Sequence, residues 1–166
     1  MKLETLFDVY VDELKDLYSA EVQLLRGLTR MARAASSPEL GDAFGDHLVE
    51  TIGQIDRLEE IFDELRISPE GKVCKAMQGL LEEVFDAIQE CDDPTVRDAA
   101  LIATAQRIEH YEIAGYGCVR TFARLLHHEM AAMLLQESLE EEGDADHKLT
   151  QLAETIINNR ALAAVA

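Results

Sequence analysis

Six acids in this chain stand where a helix would ordinarily bury an apolar side chain: Glu21, Glu50, Glu109, Glu112, Glu142 and Asp146. At about 100° per residue, Ala105, Glu109, Glu112, Tyr116 and Val119 share one narrow stripe. The same reading puts Glu21 in series with Leu14, Leu17, Leu24 and Leu28. It puts Glu50 with His47, Gln54, Leu58, Ile61 and Leu65, and Glu142 and Asp146 with Leu135, Ser138, Leu149, Ala153 and Ile156. An isolated buried carboxylate costs several kcal/mol, and several in one core also repel one another. Either basic side chains or cations must compensate them. The nearest bases, Arg57, Arg107 and Lys148, fall on flanking faces. Two divalent cations would satisfy four to six carboxylates as ligands, and an oxygen-rich shell suits Fe, Mn, Mg or Ca. The competing arrangement is a polar lattice without metal.

Around these acids stand further candidates. His47 lies three residues before Glu50 and either enters the shell, orients that Glu, or is an ordinary packed histidine. Gln54 lies on the same face, although a neutral amide is a poor ligand. Tyr18 lies one turn before Glu21 and Tyr116 one turn after Glu112, so either hydroxyl is within reach of a carboxylate. Which of Asp144, Asp146 and His147 faces inward is left open by spacing alone. The glycines flanking Tyr116, Gly115 and Gly117, each cost a helix about 1 kcal/mol, which close approach of another helix would explain. There is no phosphate-binding loop, nucleophile elbow or zinc-type Cys/His spacing.

The elements that must position these groups are all helical, with no strand alternation. The pattern predicts long helices over about Leu3–Ala34, Glu39–Leu65, Thr95–Leu126 and Glu129–Asn159, and a short one over about Cys74–Cys91. "ASSPEL", "RISPEGK", "CDDPTVRD" and "HHEMA" separate them. The tail "ALAAVA" is read as frayed or packed on a partner. Four long helices, with a crossover between the second and third, match a ferritin-like bundle. The whole chain, 1–166, reads as one domain.

Composition agrees. Hydrophobic residues are 48% of the 166, with only 3 Pro and 9 Gly. The formal net charge of −18 repels phosphate backbones and anionic lipid, which disfavours nucleic-acid binding and membrane anchoring. The three cysteines, Cys74, Cys91 and Cys118, have no CxxC spacing and read as reduced thiols. With no signal-like N-terminus, the expectation is a cytoplasmic protein.

The segments "YSAEVQLL", "HLVETIGQIDRL", "CKAMQGLLEE", "VRDAALIATAQRIEHYEIAGYG" and "LLQESLEEEGDADHKLTQLAE" resemble the YciF-like stress proteins, bacterial members of the ferritin-like superfamily. The resemblance spans almost the whole chain. It implies a four-helix bundle, commonly a homodimer, with a dinuclear metal centre and a link to stress responses, but no settled enzymatic activity. The chain departs from the ferritin-type ligand pattern, which sets a His three residues after each of two Glu. Here Gly53 follows Glu50 at that spacing and Ala145 follows Glu142. Carried over, Glu50 and Glu142 are matches and Asp146 substitutes for one His. Together with Glu21, Glu109 and Glu112 they would hold two iron or manganese ions that react with O2 or peroxide. The alternative is a non-catalytic homodimer whose core acids are structural or vestigial and which acts through protein partners. A DNA-protecting cage is disfavoured by the charge.

Overall fold

The computed structural model describes residues 2–164, and all of their regular structure is helical. Met1, Val165 and Ala166, the last two closing the "ALAAVA" tail, lie outside the described residues. Helix α1 covers Leu6–Ala34, α2 Pro38–Leu65, α3 Lys75–Glu90, α4 Pro94–Leu125, α5 Glu129–Leu152 and α6 Asn158–Ala163. A π-helical turn, Ala153–Ile157, joins the last two. Helices α1 and α2 form one antiparallel hairpin and α4 and α5 the other. The hairpins pack through α1 on α4 and α2 on α5, and α3 lies against α1 and α4. This is the predicted bundle with its crossover helix.

Local chemistry sets the boundaries. Helix α1 starts at Leu6, three residues later than predicted. Thr5 and Asp8 form a reciprocal capping box there, the Thr5 hydroxyl accepting from the Asp8 amide at 3.1 Å. Pro38 and Pro94 occupy first helical positions, where their missing N–H costs nothing. The α1–α2 turn is clamped from α4. Buried Asp98 accepts from the Ser36 and Ser37 amides at 2.8 Å each and from the Ser36 hydroxyl at 2.6 Å. At the "HHEMA" turn His127 adopts a left-handed φ of 62°, which reverses the chain into α5.

One face prediction shifts. The π turn inserts an extra residue into the helical register, so Ile157 is buried and Ile156 only partly so. Gly115 fits its predicted role: a Cβ there would lie 2.7 Å from Leu17 Cδ2, so α1 approaches α4 at this point. Gly117 does not, for no atom lies within 4 Å of where its Cβ would be.

The apolar core has two halves. Leu24, Leu28, Leu40, Phe44, Leu101, Ala105 and Leu149 belong to one, and Leu14, Leu17, Leu58, Ile61, Tyr116, Val119 and Leu135 to the other. Along every long helix the sequence passes from one half to the other through buried polar residues: Glu21, then His47 to Gln54, then Glu109 and Glu112, then Ser138 and Glu142. A polar layer therefore crosses the bundle at mid-depth.

Candidate metal centre

Each long helix delivers part of this layer. Glu21 comes from α1, His47 and Gln54 from α2, Glu109 and Glu112 from α4, and Glu142 from α5. All are buried, with Glu21, Glu112 and Glu142 at 0% exposure. One donor atom each from His47, Glu109, Glu112 and Glu142 lies within 4.8 Å of the others.

The hydrogen bonding is incomplete in one particular way. Glu21 Oε1 accepts from the Tyr116 hydroxyl at 2.5 Å, and Glu142 Oε1 accepts from Gln54 Nε2 at 2.5 Å. Glu21 Oε2, Glu109 Oε2, both oxygens of Glu112, and Glu142 Oε2 have no hydrogen-bond partner. Buried carboxylate oxygens are rarely left so. His47 Nε2 lies 3.2 Å from Glu109 Oε2 and 3.6 Å from Glu142 Oε2, within ion-pair range but without hydrogen-bond geometry. Its other nitrogen, Nδ1, is 3.1 Å from Glu50 Oε2.

The electrostatics follow from this crowding. Burial raises the Glu21 carboxyl to about 7, even though the Tyr116 hydroxyl and His47 pull it down. Burial, then the charges of Glu21 and Glu142, lift Glu112 well above the usual range. Burial also lifts Glu142, partly opposed by His47 and reinforced by Glu109. Burial opposes a charged imidazole at His47, but Glu109, Glu50 and Glu142 outweigh it and raise His47 well above 6.5. Without metal, protons and one imidazolium hold the layer together.

The three nearest bases pair with acids outside the buried set. Arg57 pairs with Glu137 at 2.7 Å and Glu141 at 2.6 Å, Arg107 with Glu83 at 2.5 Å, and Lys148 with Asp46 at 2.7 Å. Four buried carboxylates thus face one imidazole and, among the described residues, pair with no ammonium or guanidinium. The donor set, carboxylate oxygens with one imidazole, fits hard or borderline divalent ions such as Fe(II) and Mn(II). Four negative charges equal the charge of two such ions.

The structure distributes the predicted residues unevenly. It brings together Glu109, Glu112 and Glu142, with Glu21 beside them, outside the 4.8 Å set but near enough for its charge to raise Glu112. It adds His47 at the centre, which spacing alone left undecided, although its place on the stripe of Gln54 and Leu58 was the available signal. Glu50 is turned about 60° from His47 and sits at the rim with its side chain 43% exposed, hydrogen-bonded to that imidazole. Gln54 is buried as a donor to Glu142 and, at 3.1 Å, to Glu141.

Asp146 is not brought into the cluster. Four residues after Glu142 it is turned about 40° toward α4, where Gln106 Nε2 donates to it at 3.2 Å and His110 stands 3.5 Å away. Asp144 and His147 are exposed, so none of the three joins Glu142. Tyr18 donates to Glu59 at 2.9 Å and not to Glu21, whereas Tyr116 is the Glu21 donor. The Asp98 clamp went unread because an N-terminal helical Asp looks like an ordinary solvated acid.

Comparison with known proteins gives relatives of the same architecture. The family described as a domain of unknown function (DUF892) matches residues 5–162. Protein YciF of Escherichia coli is 47% identical over 162 residues, 97% of this chain and 98% of that protein. The crystal structure of the E. coli stress protein YciF superposes with a TM-score of 0.90, covering 94% of this chain and 99% of the other. YcfI from Rhodopseudomonas palustris is 38% identical, with a TM-score of 0.87 over 90% of this chain and 95% of its own. A Xanthomonas campestris protein, at 22% identity and a TM-score of 0.74 over 95% of both chains, shares the fold.

Proposed function

This chain belongs to the DUF892 family, alongside YciF, and from that footing we propose that it is a stress-associated protein built around a dinuclear iron or manganese centre that reacts with O2 or peroxide. The observation that carries this reading is the set of buried, unpartnered carboxylate oxygens on Glu21, Glu109, Glu112 and Glu142. A fold that leaves so many acceptors unmet in its core is built for a cation.

Glu109, Glu112, Glu142 and His47 Nε2 would be the nearest ligands, with Glu21 completing the second ion's shell. The ions would supply Lewis acidity and redox equivalents when bound. The chain's own residues do the rest. Glu50 accepts from His47 Nδ1 and leaves Nε2 free to ligate, the usual way a partner fixes a ligating histidine. Tyr116 and Gln54 each hold one oxygen of a carboxylate and leave the other aimed inward. The two apolar halves of the core keep bulk water out.

The test is metal content per chain after anaerobic Fe(II) loading and desalting, followed by peroxide consumption. About two metals per chain are expected, as in ferritin-like dimetal sites, and Glu109→Ala with Glu142→Ala should lose them. A folded wild type that retains no metal overturns the reading.

A second reading has its own observation. Gly53 and Ala145 stand where the ferritin-type pattern sets its two histidines, which favours a non-catalytic interaction protein. A wild type that retains no metal yet keeps full stability would select it. In either case we place the protein in the cytoplasm as a homodimer. Its three free cysteines accord with that compartment, and no helix among the described residues is long and apolar enough to cross a membrane.

A further inference from the structure

A cation needs a way into a site this deep, and the bundle is not closed equally on every side. Between α2 and α5 a cleft of about 80 Å³ leads from the surface down to His47 and Glu109. Its rim is charged. Asp46 and Lys148 form an ion pair there at 2.7 Å, with side chains 67% and 47% exposed. Asp144, on the α5 side, is exposed and forms no ion pair or hydrogen bond among the described residues. Glu50, 43% exposed, stands between rim and floor with its carboxylate already on His47. At the floor, His47 and Glu109 side chains are only 6% and 3% exposed, and His47 Nε2 and Glu109 Oε2 have no hydrogen-bond partner. The cleft therefore runs from exposed carboxylates to unpartnered, buried donor atoms.

Its width has a cause in the sequence. Ala145 lines it, three residues after Glu142. An imidazole at that position would fill the space, whereas a methyl group leaves it open. The same small side chain that supplies no ligand leaves a passage. The volume is far below the roughly 300–1,000 Å³ of a small-molecule pocket, so the passage suits a cation with a few waters and excludes organic substrates.

We propose that the α2–α5 cleft is the entry route for the metal, with Asp144 and Glu50 drawing a hydrated divalent cation to the rim and His47 and Glu109 receiving it at the floor. This rests on the metal reading above. Carboxylates at the mouth of a low-dielectric cleft focus the field and raise the association rate, an effect that salt weakens. Asp144 is a positioning residue here, and it touches none of the buried ligands.

The experiment is stopped-flow uptake of Co(II), followed by its visible absorption, into the metal-free full-length protein at low and high salt. Asp144→Lys should slow uptake about fivefold or more at low ionic strength, with the gap narrowing at high salt and the final stoichiometry unchanged. Glu129→Lys makes the same charge change at an exposed site at the start of α5 and should leave the rate near wild type. Ala145→Met should slow uptake at every salt concentration by filling the passage. A wild type that loads Co(II) while Asp144→Lys keeps pace, or slows no more than Glu129→Lys, overturns the route and leaves the metal centre standing. A wild type that takes up no Co(II) overturns both.

Discussion

At the scale of single residues, the centre trades stability for binding. Glu112 is fully buried with neither oxygen partnered, so in the metal-free protein it only costs. Glu112→Gln removes the ionisable group and offers N–H donors to the neighbouring carboxylates. The metal-free variant should gain about 1–2 kcal/mol, or roughly 2–8 °C in Tm for a chain of this size, while metal retention falls. Calorimetry in chelator checks it, and an unchanged or lower Tm would count against unmet acceptors at Glu112. The same crowding fixes a pH dependence. Glu21 titrates near 7 in the fold against 4.5 unperturbed, and Glu112 and Glu142 are raised in the same direction. Their contribution is fully present below the unfolded value of 4.5 and is lost as pH climbs through the folded values. His47, raised above 6.5, acts in the same sense at higher pH. The acids that the fold lowers, Asp16 among them, matter only near and below 3.8 to 4.5, outside this window. The metal-free protein should therefore lose roughly 2–4 kcal/mol between pH 5.5 and 8. Urea titration across that range tests it, and a flat or rising profile would contradict it.

At the scale of elements, periodicity carried much of the site. The stripe through Glu109, Glu112 and Tyr116 needed only 100° per residue, because α4 is one uninterrupted helix from Pro94 to Leu125. Periodicity failed where the helix itself departs from regularity or where a small angle decides. The π turn at Ala153–Ile157 moved the buried position from Ile156 to Ile157, and no composition signal marks that turn. Asp146 and Glu50 each lay close enough to the inner stripe to look internal, yet 40° to 60° set one against Gln106 and the other at the rim. His47 was the converse, a residue whose type fits both an ordinary core and a ligand, so only its partners could decide. The glycine pair gives a test at this scale. Gly117→Ala meets open space and should stabilise α4 by about 0.5–1 kcal/mol. Gly115→Ala would press on fully packed Leu17 and should cost about 1 kcal/mol instead. Chemical denaturation of the two variants, side by side, reads the difference. If both stabilise equally, the close approach of α1 and α4 is not tight.

At the scale of the whole molecule, the polar layer divides the core, and what fills it governs how the two apolar halves cooperate. Each half is closed by residues from the four long helices, while α3 packs only on the half that holds Leu24, Leu28 and Leu101. Without metal, the layer joins the halves through two hydrogen bonds to fully buried carboxylates, from Tyr116 and Gln54, and through the charge of His47. Ions held by α1, α2, α4 and α5 at once would tie all four helices at one depth, and a ligand that binds only the native state stabilises by about 2.7 kcal/mol at a hundred times its dissociation constant. That gain has a place as well as a size. Amide exchange should slow most on metal addition around Glu21, His47, Glu109 to Glu112, and Glu142, because local opening there breaks ligand contacts. The α3 amides should change least, since that helix supplies no donor atom to the layer. Hydrogen–deuterium exchange with Mn(II) and with chelator at pH 7.5 makes the comparison. Protection that rises evenly along the chain, α3 included, would mean the ions bind elsewhere or act only through net charge. Protection confined to the middle of the four long helices would identify the polar layer as the place where metal and fold meet.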